Sequence, residues 1–427
     1  MNLSLIFKRL LALFACAGVL TFASARLLAA EEHAAAPAHA EANADHAEAA
    51  TVHHGHTEAK VPTWIEQALY SYLTAYMFCL SIVVGAFFLV ILHHLFDAAW
   101  SVPIRRINEQ IACLMPWMGL LAIPMLVFGK NIYPWMSIDP ATDHALDVKK
   151  LLFNRPTFIV SLVVIFLIWS FMARRFRAWS VAQDKDGAAI WTKKARVQAA
   201  WGIYVFAFSL TLVVFLLMKS LQHQFFSTMY GVYYFAGSVW VTLATVYGIM
   251  RFLMTRELKN VIFDTTVHYV GTLFFAFTVF YAYIHFSQYF LIWNAAMPEE
   301  TFWYVKREAG TWYWVGMTIL FGHFFVPFVI LLRIDAKMNL WVMAPMIAWA
   351  WLMHYTDMTF NVMPVLYPNG LHLTLLDPIC WFGLAGFLGF LFWKNFKTAA
   401  PMPLKDPRLQ EALTHHVVPA AGAAAHH

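Results

Sequence analysis

HFSQYFLIWNAAMPEETFWY, residues 285–304, closes a run of apolar sequence that begins near residue 266. The run is long enough to cross a bilayer as a helix, which takes about 20 residues. A histidine, a glutamine and two tyrosines stand where most neighbours are Phe, Leu, Ile or Ala. Pro298, Glu299 and Glu300 then end the helix and set an acidic corner at the membrane surface. An ionisable side chain inside a spanning segment costs about 2.5–3.5 kcal/mol even on the most lenient scale, and marks a functional position by default. The reading therefore turns on what His285 faces.

The whole chain has the same character. It holds 427 residues, 61% of them hydrophobic and 12% charged. A soluble domain carries roughly 25% charged residues, so this is a polytopic membrane protein. The net charge of +5 sits in loops and speaks of topology, with no nucleic-acid partner implied. The four cysteines, Cys16, Cys79, Cys113 and Cys380, form no CxxC, so haem c attachment, iron–sulfur and zinc-knuckle spacings are all missing. No spacing of residues predicts a metal site in the spans, and nucleotide-binding glycine motifs are absent. Haem b would call for two histidines spaced along each of two helices, a pattern the sequence lacks.

Residues 1–30 read as a signal peptide or an N-terminal anchor: Lys8 and Arg9, an apolar core, then Ala23-Ser24-Ala25. Residues 31–62 are a His/Ala/Glu-rich tether with too little apolar surface to order itself. Nine spans follow, near 70–97, 110–129, 156–174, 198–223, 231–253, 266–293, 311–332, 338–360 and 372–393. Residues 396–427 read as a disordered cytoplasmic tail. With the loop after the first span inside, 18 Lys and Arg lie inside against 7 outside. That positive-inside bias puts the tether outside and the C-terminus inside.

Polar residues sort by depth on this topology. Asp97, Asp264 and His268 lie near the inner face, the last two on one helical face. In the outer third stand His223 and His285, with Tyr281, His285 and Gln288 sharing a stripe at i, i+4 and i+7. His354 and Asp357 share a face of the eighth span, and Asp377 opens the ninth. His323 stands alone near mid-membrane; Pro327, four residues on, removes the hydrogen bond to its carbonyl and predicts a kink. Chains of Asp and His at this depth suit proton relays or ligand sites. The expected outer half of a proton path or quinone-facing pocket is His223, Tyr281, His285, Gln288, His354, Asp357 and Asp377. The inner half is Asp97, Asp264 and His268, with His323 the link. Glu299, Glu300 and Arg307 are expected docking contacts for a partner.

Three segments carry a family resemblance: SYLTAYMFCLSIVVGAFFLVILHHL leading into WSVPIRRINE (71–109), FSTMYGVYYFAGS (226–238), and residues 285–304 leading into REAGTW, to 312. The chain resembles the NrfD/PsrC-like integral membrane subunits, and within them the F-subunit (ActF) family of bacterial alternative complex III, a quinol:cytochrome c oxidoreductase. The resemblance runs over roughly residues 64–395. It implies an all-α membrane protein of two four-helix bundles, 63–223 and 224–361, plus peripheral helices including a final one at 362–395. It implies no redox cofactor in this subunit, quinol as substrate of the complex, and a role in proton conduction. The implied partners are a sister NrfD-like membrane subunit and subunits carrying haem c and iron–sulfur clusters, in the bacterial inner membrane. A structural anchoring subunit and a secondary transporter are the alternatives. The transporter reading lacks paired helices interrupted by Gly or Pro.

Overall fold

The computed structural model describes residues 62–414 apart from 257, 259–261 and 263. The signal-like segment and the tether lie outside the described residues. The described residues form helices and no strand, as an all-α chain requires. Ten helices carry the architecture. These are α1 (Trp64–Phe96), the broken α2 (Ala99–Val127), α3 (Arg155–Asp186), α4 (Ala189–Leu217), α5 (Tyr230–Met254) and α6 (Asp264–Ala295). The short α7 (Pro298–Glu308) follows, then α8 (Thr311–Leu331), α9 (Leu340–Val362) and α10 (Leu376–Phe396). Eight of them are long and apolar enough to cross a membrane; α7 is too short. Helix α9 has 23 residues, but His354, Thr356, Asp357, Thr359 and Asn361 dilute its apolar character.

Local chemistry sets the helix ends. Thr63 and Glu66 form a reciprocal capping box at the start of α1. Asn154 caps α3, with Pro156 in its first turn, and Gly187 closes it in the left-handed region at φ 69°. Pro103, Pro116 and Pro124 break α2 into short pieces, since each lacks the N–H that a continuous helix needs. At the stretch quoted above, Ala296 takes φ 51° just past the end of α6, and Pro298 opens α7 with Glu299 and Glu300 in its first turn. One proline thus follows the end of one helix and begins the next.

Helices α1 and α5 lie at the centre. The apolar windows of α1 and α5 are 83% and 72% buried, against 33–44% for the other six. They pack on each other; α1 also touches α2, α4, α9 and α10, and α5 touches α4, α6 and α9. Their closest approach needs Gly85: a Cβ there would stand 2.5 Å from the Ser238 carbonyl oxygen and 2.2 Å from Thr242 Oγ1. Tyr234 on α5 donates to the Met77 carbonyl of α1 at 2.7 Å, and Thr242 to that of Ile82 at 3.0 Å.

One end of the molecule departs from the sequence expectation. Arg105 and Arg106, read as loop cations, lie on a helical piece of α2 and are buried. Glu109 stands 3.1 Å from Arg105, 3.6 Å from Arg106 and 3.5 Å from Arg177, and Asp184 stands 2.5 Å from Arg106. Asp406 pairs with Arg105. The tail expected to be disordered from 396 onward is therefore docked as far as Thr414, ending in the short helix α11 (Leu409–Thr414). Leu404 N–H donates to Asp184 at 2.9 Å and Lys405 to the Lys185 carbonyl at 2.7 Å. Few apolar residues are needed when buried arginines supply the binding sites.

Candidate functional site

A buried polar cluster lies where α5, α6, α8 and α9 meet, and it touches α1 at Phe78 and Ser81. Helix α9 contributes His354, Asp357 and Asn361, at i, i+3 and i+7 on one face. All three are 2% exposed or less. Tyr230 and Tyr233 come from α5, Tyr281 and His285 from α6, and His323 from α8.

His323 occupies a π-helical turn, Leu320–Phe325, ahead of Pro327. The proline frees backbone bonding on its N-terminal side, and π turns recur at functional sites. Trp349 Nε1 donates to the neighbouring Gly322 carbonyl at 2.7 Å. The imidazole is sandwiched between Trp240, at 3.8 Å between centroids, and Tyr281, at 3.7 Å, both nearly parallel to it. Neither of its ring nitrogens has a hydrogen-bond partner.

His354 can be assigned a tautomer. Ser81 Oγ donates its single proton to the Phe78 carbonyl at 2.6 Å. The same oxygen lies 2.9 Å from His354 Nε2 and so must accept from it. In the neutral ring, Nδ1 then carries the lone pair, and it has no partner. The ring fits against α5 because residue 237 is glycine: a Cβ there would stand 2.9 Å from His354 Cε1.

Asp357 Oδ1 accepts from Tyr233 OH and, at 3.2 Å, from Asn361 Nδ2. Its Oδ2 is unpartnered. Tyr230 OH donates to Asn361 Oδ1 at 2.8 Å, which fixes the amide so that Nδ2 faces Asp357 and Tyr233. Tyr233 OH lies 3.3 Å from Tyr281 OH, and Tyr281 OH lies 3.3 Å from His285 Nδ1. The line His285–Tyr281–Tyr233–Asp357 thus consists of groups that each exchange protons. His285 is only half-buried, while the rest are closed off. A buried polar atom without a partner costs about 1–3 kcal/mol, so the open atoms of His323, His354 and Asp357 call for a role.

Arg307 secures one end of this cluster, contrary to its expected place as a docking contact. It is 2% exposed and donates to the Phe360 carbonyl at 2.9 Å, the Asn361 carbonyl at 2.9 Å, the Trp303 carbonyl at 3.0 Å and Gln222 Oε1 at 3.2 Å. Its guanidinium stacks over Trp303 at 3.6 Å. The Phe360 and Asn361 carbonyls belong to the last turn of α9, where intrahelical partners run out and the helix dipole is negative. Burial pushes the Arg307 guanidinium down to about 9. Glu299 is exposed and Glu300 half-buried, so these two remain at the surface.

The other expected site residues lie elsewhere. His223 Nε2 stands 2.7 Å from Asp143 Oδ2 in the loop region, and that hydrogen bond holds the Asp143 carboxyl below its usual range. Asp377, in the first turn of α10, accepts from Ser71 Oγ at 2.6 Å and from Thr374 N–H at 2.8 Å, so its partners are local. Gln288 bonds to Tyr304 OH at 3.3 Å. Asp97 closes α1 in the left-handed region and is gripped by Arg196 and Arg408 at the surface. Asp264 is exposed and His268 half-buried. Among the described residues, no hydrogen bond joins Asp97, Asp264 or His268 to His323. The expected single path thus separates into one cluster and several local pairs.

Sequence reading missed Tyr233, Asn361 and Ser81. Asn361 continues the His354–Asp357 stripe by one helical turn, a signal that was legible. Tyr233 lies three residues from Tyr230 in the 226–238 segment. Ser81 could not be found, because it comes from a helix distant in sequence. One nitrogen each of His323 and His354 and an oxygen of Asp357 lie within 4.8 Å of one another. No protein-family model matches this chain and no curated protein matches it, so its reading rests on this buried cluster in a helical membrane protein.

Proposed function

We propose that this chain is an integral membrane subunit of a respiratory quinol:electron-acceptor oxidoreductase complex of the alternative complex III kind, and that it carries protons for that complex. The observation behind the chemical part is the line from half-buried His285 through Tyr281 and Tyr233 to buried Asp357. Each hydroxyl in it can accept from one neighbour and donate to the next, which is what a relay needs. His285 is the group through which a proton, or the headgroup of a quinol in the bilayer, meets the line. The resemblance in residues 71–109, 226–238 and 285–312 supports membership, and two of those segments supply Tyr230, Tyr233 and His285. In this reading the complex lies in the bacterial cytoplasmic membrane, with the residues before α1 outside and the C-terminus inside. A sister membrane subunit and subunits bearing haem c and iron–sulfur clusters complete it, and this chain holds no redox centre.

The test is Asp357→Asn in the intact complex reconstituted into liposomes. Asparagine keeps the shape and the acceptor for Tyr233 and Asn361, so assembly persists. Quinol-driven proton movement per electron should fall. Wild-type proton stoichiometry in the assembled variant would remove the relay. Loss of the complex with normal turnover in what remains would favour a purely anchoring subunit.

A further inference from the structure

We propose that His323, His354 and Asp357 form a binding site for a divalent transition-metal ion of the Zn2+ class. The inference does not rest on the relay, because metal retention is read without turnover. Three side chains offer four open atoms in one buried place: both nitrogens of His323, Nδ1 of His354 and Oδ2 of Asp357. One ligand atom from each lies within 4.8 Å of the others. All three residues are 1% exposed or less, so no surface water satisfies these atoms.

The donor set is chemically specific. Two imidazoles and one carboxylate suit Zn2+ and its first-row neighbours, and disfavour Ca2+ and Mg2+, which take oxygen ligands. Three protein ligands leave a fourth position for water or a hydroxyl, the pattern of open zinc sites. Bonds of about 2.0–2.1 Å in a tetrahedron put ligand atoms about 3.4 Å apart, so no pair needs to close by more than about 1.4 Å on binding. The supporting shell is in place. Ser81 holds His354 through Nε2, which directs the lone pair to Nδ1. Tyr233 and Asn361 hold Asp357 through Oδ1 and leave Oδ2 open. Trp240 and Tyr281 clamp the plane of His323 but leave its edge free. The hydrogen bonds on His354 and Asp357 are the orienting contacts that metal ligands ordinarily have, whereas His323 is oriented by stacking alone.

The experiment uses the full chain purified in detergent, stripped with a chelator, loaded with Zn2+ or Co2+ and passed through gel filtration. Imidazoles elsewhere in the chain, including those in residues 31–62, are potential metal ligands, so the readout is the difference between wild type and variant. Wild type should retain about one more metal ion per chain than His323→Gln or Asp357→Asn. Its Co2+ form should show the visible bands of a four-coordinate nitrogen and oxygen site that both variants lack. Ser81→Ala keeps all three ligands and should weaken Zn2+ binding about 10–100-fold. It also tests the site should a ligand variant fail to fold, as judged by its gel-filtration profile. Equal metal retention and identical Co2+ spectra in wild type, His323→Gln and Ser81→Ala would overturn the assignment.

Discussion

Tyr230 and Tyr233 stand one turn apart on α5, and the same change at each separates a relay from a scaffold. Tyr233→Phe removes the donor to Asp357 and the acceptor for Asn361 Nδ2. Asp357 keeps Asn361, at 3.2 Å, and Asn361 keeps the Asp357 carbonyl, at 2.8 Å. The largest single loss is the hydrogen bond to the acidic group, about 1.5–3 kcal/mol. Tyr230→Phe removes the donor to Asn361 Oδ1 and leaves a buried acceptor open, about 1–3 kcal/mol. The two variants should therefore unfold at similarly lowered temperatures. They differ in connectivity, because only Tyr233 lies between Tyr281 and Asp357. A positioned proton-transfer group contributes about 10²–10⁴-fold to rate. Quinol-driven acidification by the reconstituted complex, followed with a pH-sensitive dye, should drop about 100-fold in Tyr233→Phe and stay near wild type in Tyr230→Phe. Equal proton movement in both variants would refute Tyr233 as a link in the relay, since Tyr281 also interacts with Asp357 directly. A large loss in both would mean that the order of the Asn361 network matters more than the hydroxyl line.

Two other sites give independent tests. Lys219, packed over Phe215 and Phe226 just past the end of α4, is pushed down to about 8 by burial. The unfolded chain holds that proton up to about pH 10.4, so stability from this group should rise with pH between about 8 and 10. Thermal unfolding at pH 7.5 and 9.5 should show that rise in wild type and lose it in Lys219→Met; equal pH slopes in the two would count against it. Asp406→Asn leaves Arg105 short of a counter-charge, and breaking a buried pair costs about 3–5 kcal/mol. Proteolysis should then cut residues 396–414 faster than in wild type, and an unchanged digestion pattern would mean that the tail is held by other contacts.

Much of the architecture was legible because the bilayer rule is strict: a spanning segment has to be a long apolar helix. The two long helices most easily misread were those with polar work to do. Helix α2 was placed too late because Arg105, Arg106 and Glu109 look like a loop, and their mutual pairing is not visible in one dimension. Helix α9 was found, but its Asn361 was left out of the site. Burial also reversed Arg307, which reads as a surface cation after two glutamates. It lies instead on the inward face of α7, where the end of α9 offers it carbonyls.

The sequence alone determined the class of protein and the odd residues in it. Composition and hydropathy specify the long helices, and the cost of burying charge singles out His285, His323, His354 and Asp357. Tertiary structure decided which of these meet. Helical spacing relates residues a few positions apart, so it could pair His354 with Asp357. It could not bring His323 from α8, Tyr233 from α5 or Ser81 from α1 to the same point, because those contacts depend on how helices distant in sequence pack. The same packing placed His223, Asp377 and Asp97 with partners of their own, which removed them from the line.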